Sequence, residues 1–448
     1  MASPEATLSD FIATVAYEDV PERARETVRR AFLDTVGVTL AGALDDAGTT
    51  VFDADGIDSS TAGASTILGI GSAQSPSDRA LHTGTASHAL DYDDLAWAMD
   101  GHPSVTLVPP LLVLAAEADA SGEDLVTAFA AGFETECALA EPISPDHYED
   151  GWHATATFGA LGAAAASASL LGLSVAETRN ALNIAASTPA GLKRNFGSMT
   201  KPLHAGLAAR SGVTAARLAD RGFSADPNAL SGDRGFWDLY GPAERTEFAF
   251  DADEWVLVDR GIHIKFYPCC YFTHTSIAGT QALVDEHDIA PSDIERIHLR
   301  VAQGAADALH HSDPDTGLEA KFSLEYTVAS AAVRDRVGLD AFTESAIQED
   351  DVQRVRKRVD YDVDETLHYD SHESVITIET ADATYERTQE NPPGTHDNPL
   401  TDTQLREKFD ECARRALPES ASDALADALM TLEDHPDVAA AIRNATEP

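Results

Sequence analysis

The segment 84–104, GTASHALDYDDLAWAMDGHPS, sets His88, Asp91, Asp93, Asp94 and His102 among alanines and other apolar residues. Ionisable groups at that density in apolar surroundings are rarely buried without a task. His88 and Asp91 are three residues apart, as are Asp91 and Asp94, so on a helix these side chains share one face. A mixed set of acids and imidazoles can take up, hold and return protons. It can also ligate a hard metal ion, because Asp91, Asp93, Asp94 and His102 offer oxygen and imidazole donors.

Three further segments place a polar group at a helix entry. In GWHATATFGALG, His153 opens a helix whose unsatisfied N–H groups and dipole favour a bound anion, although a capping histidine reads the same way. In GSMTKPLHAGLAARSG, Lys201 precedes Pro202 at the start of the next helix, a suitable place for a cation that meets a carboxylate. In GIHIKFYPCCYFTHTS, Lys265 lies within an apolar run read as a strand, where it and His263 point away from Ile262, Ile264 and Phe266. His274 stands at the following helix entry. If Lys201 and Lys265 share a pocket with the acids they repel a divalent ion, which tilts the cluster from a metal site to a proton relay. The vicinal Cys269 and Cys270 chelate poorly and read as buried structural residues, and four cysteines without C-x-x-C spacing offer neither an iron–sulfur site nor a disulfide framework.

These groups must be held by the elements around them. From Thr7 to about Gly222 apolar residues recur at helical spacing, as in VPERARETVRRAFLDTVGVTLAGA, LVPPLLVLAAEADA and EDLVTAFAAGFETECALA. Ser121 before Glu123 and Asp124 marks one helix start, and Gly172 and Gly222 mark helix ends. The small residues of GALGAAAASAS make a thin helix, expected at the centre of a bundle. Near Glu254 the texture changes. WVLVDRGIHIKFYP and RIHLRVA read as strands, SVITIETADATYER as a hairpin or pair of edge strands, with helices over 273–287 and 322–334. After the loop ENPPGTHDNPL the chain returns to helix in DTQLREKFDECARRAL. The expectation is a mainly α protein: a large all-helical domain over 1–266, completed by 396–448, with a smaller α+β domain inserted over 267–395. A cleft between two such domains is a common place for an active site.

Composition narrows the partners. A net charge of −45 comes from 76 acidic residues against 31 basic ones, of which only six are lysine. With 43% hydrophobic residues the chain can still build a core, so the charge reads as surface adaptation to a high-salt, reducing cytoplasm rather than as disorder. Nucleic acid is disfavoured because phosphate contacts need clustered cations, and Arg354, Arg356, Lys357 and Arg358 read as one charged face of an element. No signal-peptide pattern or bilayer-length apolar run is evident, so a membrane is not an expected partner.

Together HALDYDD, the GHPS at 101–104, GWHATATFGALGAAAASASLLGL, MTKPLHAGLAARSGV, IHIKFYPCCYFTH and ENPPGTHDNPLTDTQLREKF resemble the MmgE/PrpD family over essentially the whole chain. The resemblance implies a helical domain with an inserted lid domain, a homodimer, no cofactor or metal, and a small di- or tricarboxylate as substrate. It implies lyase chemistry of the 2-methylcitrate dehydratase kind, with cis-aconitate decarboxylation or iminodisuccinate epimerisation as alternatives. A non-catalytic carboxylate-binding protein on the same fold is the alternative of another class. Carried over by position, the family's catalytic pattern falls on Asp91, His102 and His153, with Tyr326 of FSLEYTVA on a looser motif. Lys201 and Lys265 become substrate-binding residues, His274 joins them from its place at the helix entry, and His88, Asp93 and Asp94 support. Leu95 departs from the pattern, which places Thr there.

Overall fold

The structure is a computed structural model describing residues 3–71, 73–369 and 371–447. The chain divides into two compact units. One runs to Ile264 and resumes at Asp402; the other is Lys265–Thr401.

The first unit is helical. Its principal elements are α1 (Glu22–Gly42), α2 (Pro76–His88), α3 (Ser104–Ala118), α4 (Gly122–Ala140), α5 (Ala154–Leu170) and α6 (Thr200–Asp220). Start signals in the sequence are used as such. Ser121 and Asp124 form a capping box at α4, and Ser75 accepts from the Asp78 N–H at α2. Gly172 and Gly222 follow α5 and α6 with φ of 61° and 81°, the left-handed geometry that a terminal glycine accommodates best.

The thin helix is central. Every residue of α5 from Ala154 to Ala168 is buried, and α4 and α6 pack against it. Helix α6 also crosses α2 with almost no side chain between them. A Cβ on Gly206 would lie 2.4 Å from the Leu81 carbonyl oxygen, and one on Gly84 2.9 Å from the Gly206 Cα. The small residues that weaken these helices in isolation are what bring the ends of α2, α5 and α6 together.

The second unit is α+β. Its helices α7 (His274–His287) and α8 (Leu324–Val333) pack on each other, and α7 also packs on a four-stranded sheet. Strands β1 (Ile294–Val301), β2 (Val359–Val363), β3 (Ser374–Thr380) and β4 (Thr384–Gln389) lie in the order β2-β1-β3-β4. The β1–β2 pair is parallel and the other two antiparallel, and β3–β4 is the anticipated hairpin. Ile294, Ile297, Leu299 and Val301 of β1, Val359 of β2, and Ile376 and Ile378 of β3 lie in the core. The chain then re-enters the first unit as α9 (Asp402–Ala413), which lies on α1.

Two local expectations change. The run WVLVDRGIHIKFYP is not a strand. Val256–Asp259 form a helical turn whose first N–H groups donate to the Glu134 carboxylate at 3.0 Å, and the extended remainder makes a single bridge, His263 to Leu95. Alternation there did not separate a wet face from a dry one, since Ile262, His263, Ile264 and Lys265 are all buried. The basic cluster is also not a solvated face. Arg356 donates to the Ser312 carbonyl and pairs with Asp313, Arg358 donates to the Ile294 carbonyl, and only Arg354 and Lys357 remain toward the surface. Among the described residues no helix is long and apolar enough to cross a membrane.

Candidate active site in the helical unit

Helix α2 ends at His88, and the chain then makes a tight turn rather than continuing as helix. Asp91 takes φ of 53°, a left-handed conformation that aspartate tolerates better than most residues. The helical face expected for His88, Asp91 and Asp94 therefore does not form; the turn itself brings the groups together. Leu95 exchanges both backbone hydrogen bonds with His263, at 2.9 and 2.8 Å. Further on, the His102 N–H donates to Thr155 Oγ1 at 3.0 Å, which fixes the loop on the N-terminal turn of α5.

The acids and imidazoles meet here. Asp93 is buried, with its carboxylate 2.9 Å from Nδ1 of His88 and 2.9 Å from Nδ1 of His102. Nδ1 of His102 also lies 2.7 Å from the Asp94 carbonyl oxygen. Acceptors alone surround both Nδ1 atoms, so each neutral ring carries its proton on Nδ1 and leaves the Nε2 lone pair as a base. The two rings are 4.6 Å apart and His153 is 5.9 Å from His88. Nε2 of His88 and Nε2 of His153 are buried with no hydrogen-bond partner among the described residues. Such orphaned nitrogens in a polar cluster call for an explanation, and a ligand supplies one.

Lys201 enters from the second position of α6. Its ammonium is 2.6 Å from Asp91 Oδ1 and 5.2 Å from the Phe196 ring, whose edge meets His153. Three residues later on the same face, His204 sets its Nδ1 3.0 Å from Nδ1 of His153, and one of those two nitrogens must donate to the other.

Burial governs the charge states. It lowers His88 to about 4 against the pull of Asp93, and drives His153 well below the ordinary imidazole range, helped by His88 and Lys201. Burial alone would raise Asp93, yet the imidazoles His88 and His102 hold its carboxyl well below the usual range. Asp94 goes the other way. Burial and the neighbouring Asp34 raise it to about 8, although it accepts from the Ser104 N–H at 3.2 Å and from the Ser104 hydroxyl at the start of α3. Adjacent residues are thus an ionised and a protonated carboxyl at neutral pH, an arrangement that suits acid–base work.

One oxygen or nitrogen each from His88, Asp91 and His102 lie within 4.8 Å of one another, close enough to share a cation. Asp91 already holds the Lys201 ammonium through Oδ1. A divalent ion there would face that positive charge at short range, which makes these three a poor fit as a metal centre.

The remaining expected residues belong to the second unit. Lys265 opens it and is buried. His274 is fully buried between the rings of Tyr267 and Tyr271, with Nε2 3.3 Å from the Cys269 carbonyl oxygen. Tyr326 is fully buried in that unit's core and its hydroxyl donates to the Ala341 carbonyl. Cys269 is buried 3.0 Å from the Thr273 hydroxyl, in keeping with a structural role.

Residues outside the expected set also belong to the cluster. His204 was legible in KPLH, three residues after Lys201 on a helix. Ser104 was quoted within GHPS but not singled out, and nothing in its local pattern marks it. Lys408, which bonds the Tyr92 carbonyl, was marked only by the rarity of lysine.

Comparison with known proteins agrees with this architecture. Residues 6–249 match the MmgE/PrpD N-terminal domain and residues 267–434 the MmgE/PrpD C-terminal domain. Cis-aconitate decarboxylase of Mus musculus is 29% identical over 377 residues, covering 80% of this chain and 76% of the relative. The Homo sapiens cis-aconitate decarboxylase is 29% identical over 374 residues, covering 80% and 77%. That of Aspergillus terreus strain NIH 2624 is 24% identical over 463 residues, covering 97% and 94%. With both domain models matched in order along its length, the chain belongs to the MmgE/PrpD family.

Proposed function

We propose that this protein is a lyase that moves a proton at a carbon beside a carboxylate of a small tricarboxylate, without a metal or organic cofactor. The observation that carries the reading is the Lys201 ammonium, 2.6 Å from Asp91 beside imidazoles whose Nε2 atoms have no partner among the described residues. A carbanion next to a carboxylate is a dianion, so its formation needs a fixed positive charge and a placed base or acid. An ammonium has three N–H donors, and Asp91 occupies one. The others suit a substrate carboxylate.

In this reading Lys201 neutralises that carboxylate, His102 or His153 transfers the proton, and Asp91 orients the ammonium. Asp93 fixes the tautomers of His88 and His102. Lys265 is proposed as a second cation, with His274 and Tyr326 as supporting residues of the second unit. The names of the relatives favour decarboxylation of cis-aconitate: the C–CO₂ bond breaks, its electron pair remains on the carbon skeleton, a proton delivered through His102 quenches it, and CO₂ departs. Dehydration of a 2-methylcitrate-like substrate is the second reading, favoured by the presence of more than one available imidazole. Loss of water needs a base at the C–H and an acid at the departing hydroxyl, and His102 with His153 can supply both.

Incubation with cis-aconitate, 2-methylcitrate, citrate and iminodisuccinate in high salt, read by proton NMR, tests this. Conversion of one tricarboxylate to an itaconate-like or aconitate-like product that survives dialysis against chelator is expected. Tight binding with no product would identify a carboxylate-binding protein instead. Loss of activity on chelation would replace the relay by a metal site.

A further inference from the structure

Of the six lysines in the chain only Lys357 is exposed, so the position of each of the others bears on what it does. Lys408 is the most deeply placed. It lies on α9, near the C-terminal end of the sequence, and is 0% exposed. A Cβ on Gly37 of α1 would lie 2.9 Å from the Phe409 ring, so the absence of that atom lets α9 approach α1 closely. The ammonium then reaches Asp34 of α1 at 2.5 Å and donates to the Tyr92 carbonyl at 2.7 Å, while lying 4.2 Å from the centre of the Tyr92 ring.

Tyr92 is the residue between Asp91 and Asp93. We propose that Lys408 is a positioning residue of the reaction site: clamped by Asp34, it holds the Tyr92 carbonyl and thereby sets Asp91 toward Lys201 and Asp93 between His88 and His102. Stability alone is a poor reason for the pair, because two apolar residues of similar volume usually serve a core as well as a buried ion pair does. What apolar residues cannot do is satisfy a buried carbonyl in a turn that has left helical geometry. Tyr92 sits one residue after the left-handed Asp91, and the Lys408 ammonium ties its carbonyl to α1 and α9.

The proposal rests on reading this turn as the reaction site, and its test separates the two. In the double variant Lys408→Met/Asp34→Asn both buried charges are removed together, so neither is left unpaired. The expected result is a folded protein whose melting temperature falls by no more than the loss of one hydrogen bond to a buried carbonyl. Its Nδ1–H resonances of His88 and His102 should be shifted or lost by exchange, and kcat should fall roughly ten- to hundredfold at nearly constant KM, as misplacement of catalytic groups by about an ångström produces. A folded double variant with parental imidazole resonances and parental kcat would overturn the proposal. If the double variant does not fold, Lys408→Gln/Asp34→Asn, which also leaves no buried charge, carries the test: the shorter neutral amide loses the ammonium's hold, so the same resonances should move and kcat should fall, and unchanged values would overturn it equally. The imidazole resonances require no substrate, so they judge the positioning role even if the parent protein converts none of the tricarboxylates.

Discussion

Two lysine–aspartate pairs flank the D-Y-D-D turn, and they differ in nearly every respect but composition. Lys201–Asp91 keeps 12% and 15% of its side chains exposed, joins a helix start to a left-handed residue, and lies among imidazole nitrogens without a partner among the described residues. Lys408–Asp34 is 1% exposed on both sides and ties helix to helix. A partly solvated pair can exchange one partner for a substrate carboxylate at modest cost, whereas a fully desolvated pair loses several kcal/mol if it is opened. The same chemistry is therefore reactive in one place and structural in the other, and solvent access separates the two.

The sharpest way to break this comparison is on the reactive side. His102→Ala should lower turnover by at least about a hundredfold, the range for a general acid or base, while the melting curve stays near that of the parent. Circular dichroism and product NMR together check it. On the structural side the Lys408→Met/Asp34→Asn loss is smaller and confined to kcat.

A third prediction concerns pH. Asp94 rises from an unfolded value near 3.8 to about 8, so the folded state binds that proton more tightly, and the stability it contributes is complete below 3.8 and lost as pH climbs toward 8. Glu134, raised to about 7, and Asp34, raised to about 6, act in the same direction at lower pH. His88, lowered to about 4, has the opposite sign: its contribution is present above 6.5 and is lost as pH falls toward 4. Between pH 7 and 8.5 the histidine contribution is flat, so the melting temperature should decline with rising pH. In Asp94→Asn that decline should be visibly shallower.

The smallest effect belongs to Leu95. Its backbone is bonded to His263 whatever its side chain, so Leu95→Thr should keep the fold and alter total turnover roughly threefold or less. The ratio of turnover on cis-aconitate to that on 2-methylcitrate should change. Competition between the two substrates, followed by NMR, measures it.

Much of this arrangement could be read from residue types alone. Helix spacing, the capping serines and the terminal glycines marked the helical unit, and Asp91, His102, His153 and Lys201 stood out as polar groups at element boundaries. The structure does bring those four into one cluster. What could not be read was set by contacts distant in sequence. Alternation in WVLVDRGIHIK pointed to a strand because apolar periodicity does not reveal that Glu134, more than a hundred residues earlier, caps a helical turn there. Strand β2 follows a run of three charges, Arg356 to Arg358, and carries only short alternation, so its parallel pairing with β1 left little local trace. The helical face expected of His88, Asp91 and Asp94 is replaced by a turn whose left-handed residue is an aspartate rather than a glycine. Lys408 reads as an ordinary position of an amphipathic helix until Asp34 and Tyr92 are seen beside it.

The role of the reactive pair is tested most directly by the turnover of Lys201→Ala on whichever tricarboxylate the parent protein converts, measured with the fold monitored in the same sample. The account predicts a fall of at least about a hundredfold with an unchanged melting curve, because removing a fixed charge from a developing dianion costs that much. A folded Lys201→Ala protein that turns over near the parental rate would contradict it.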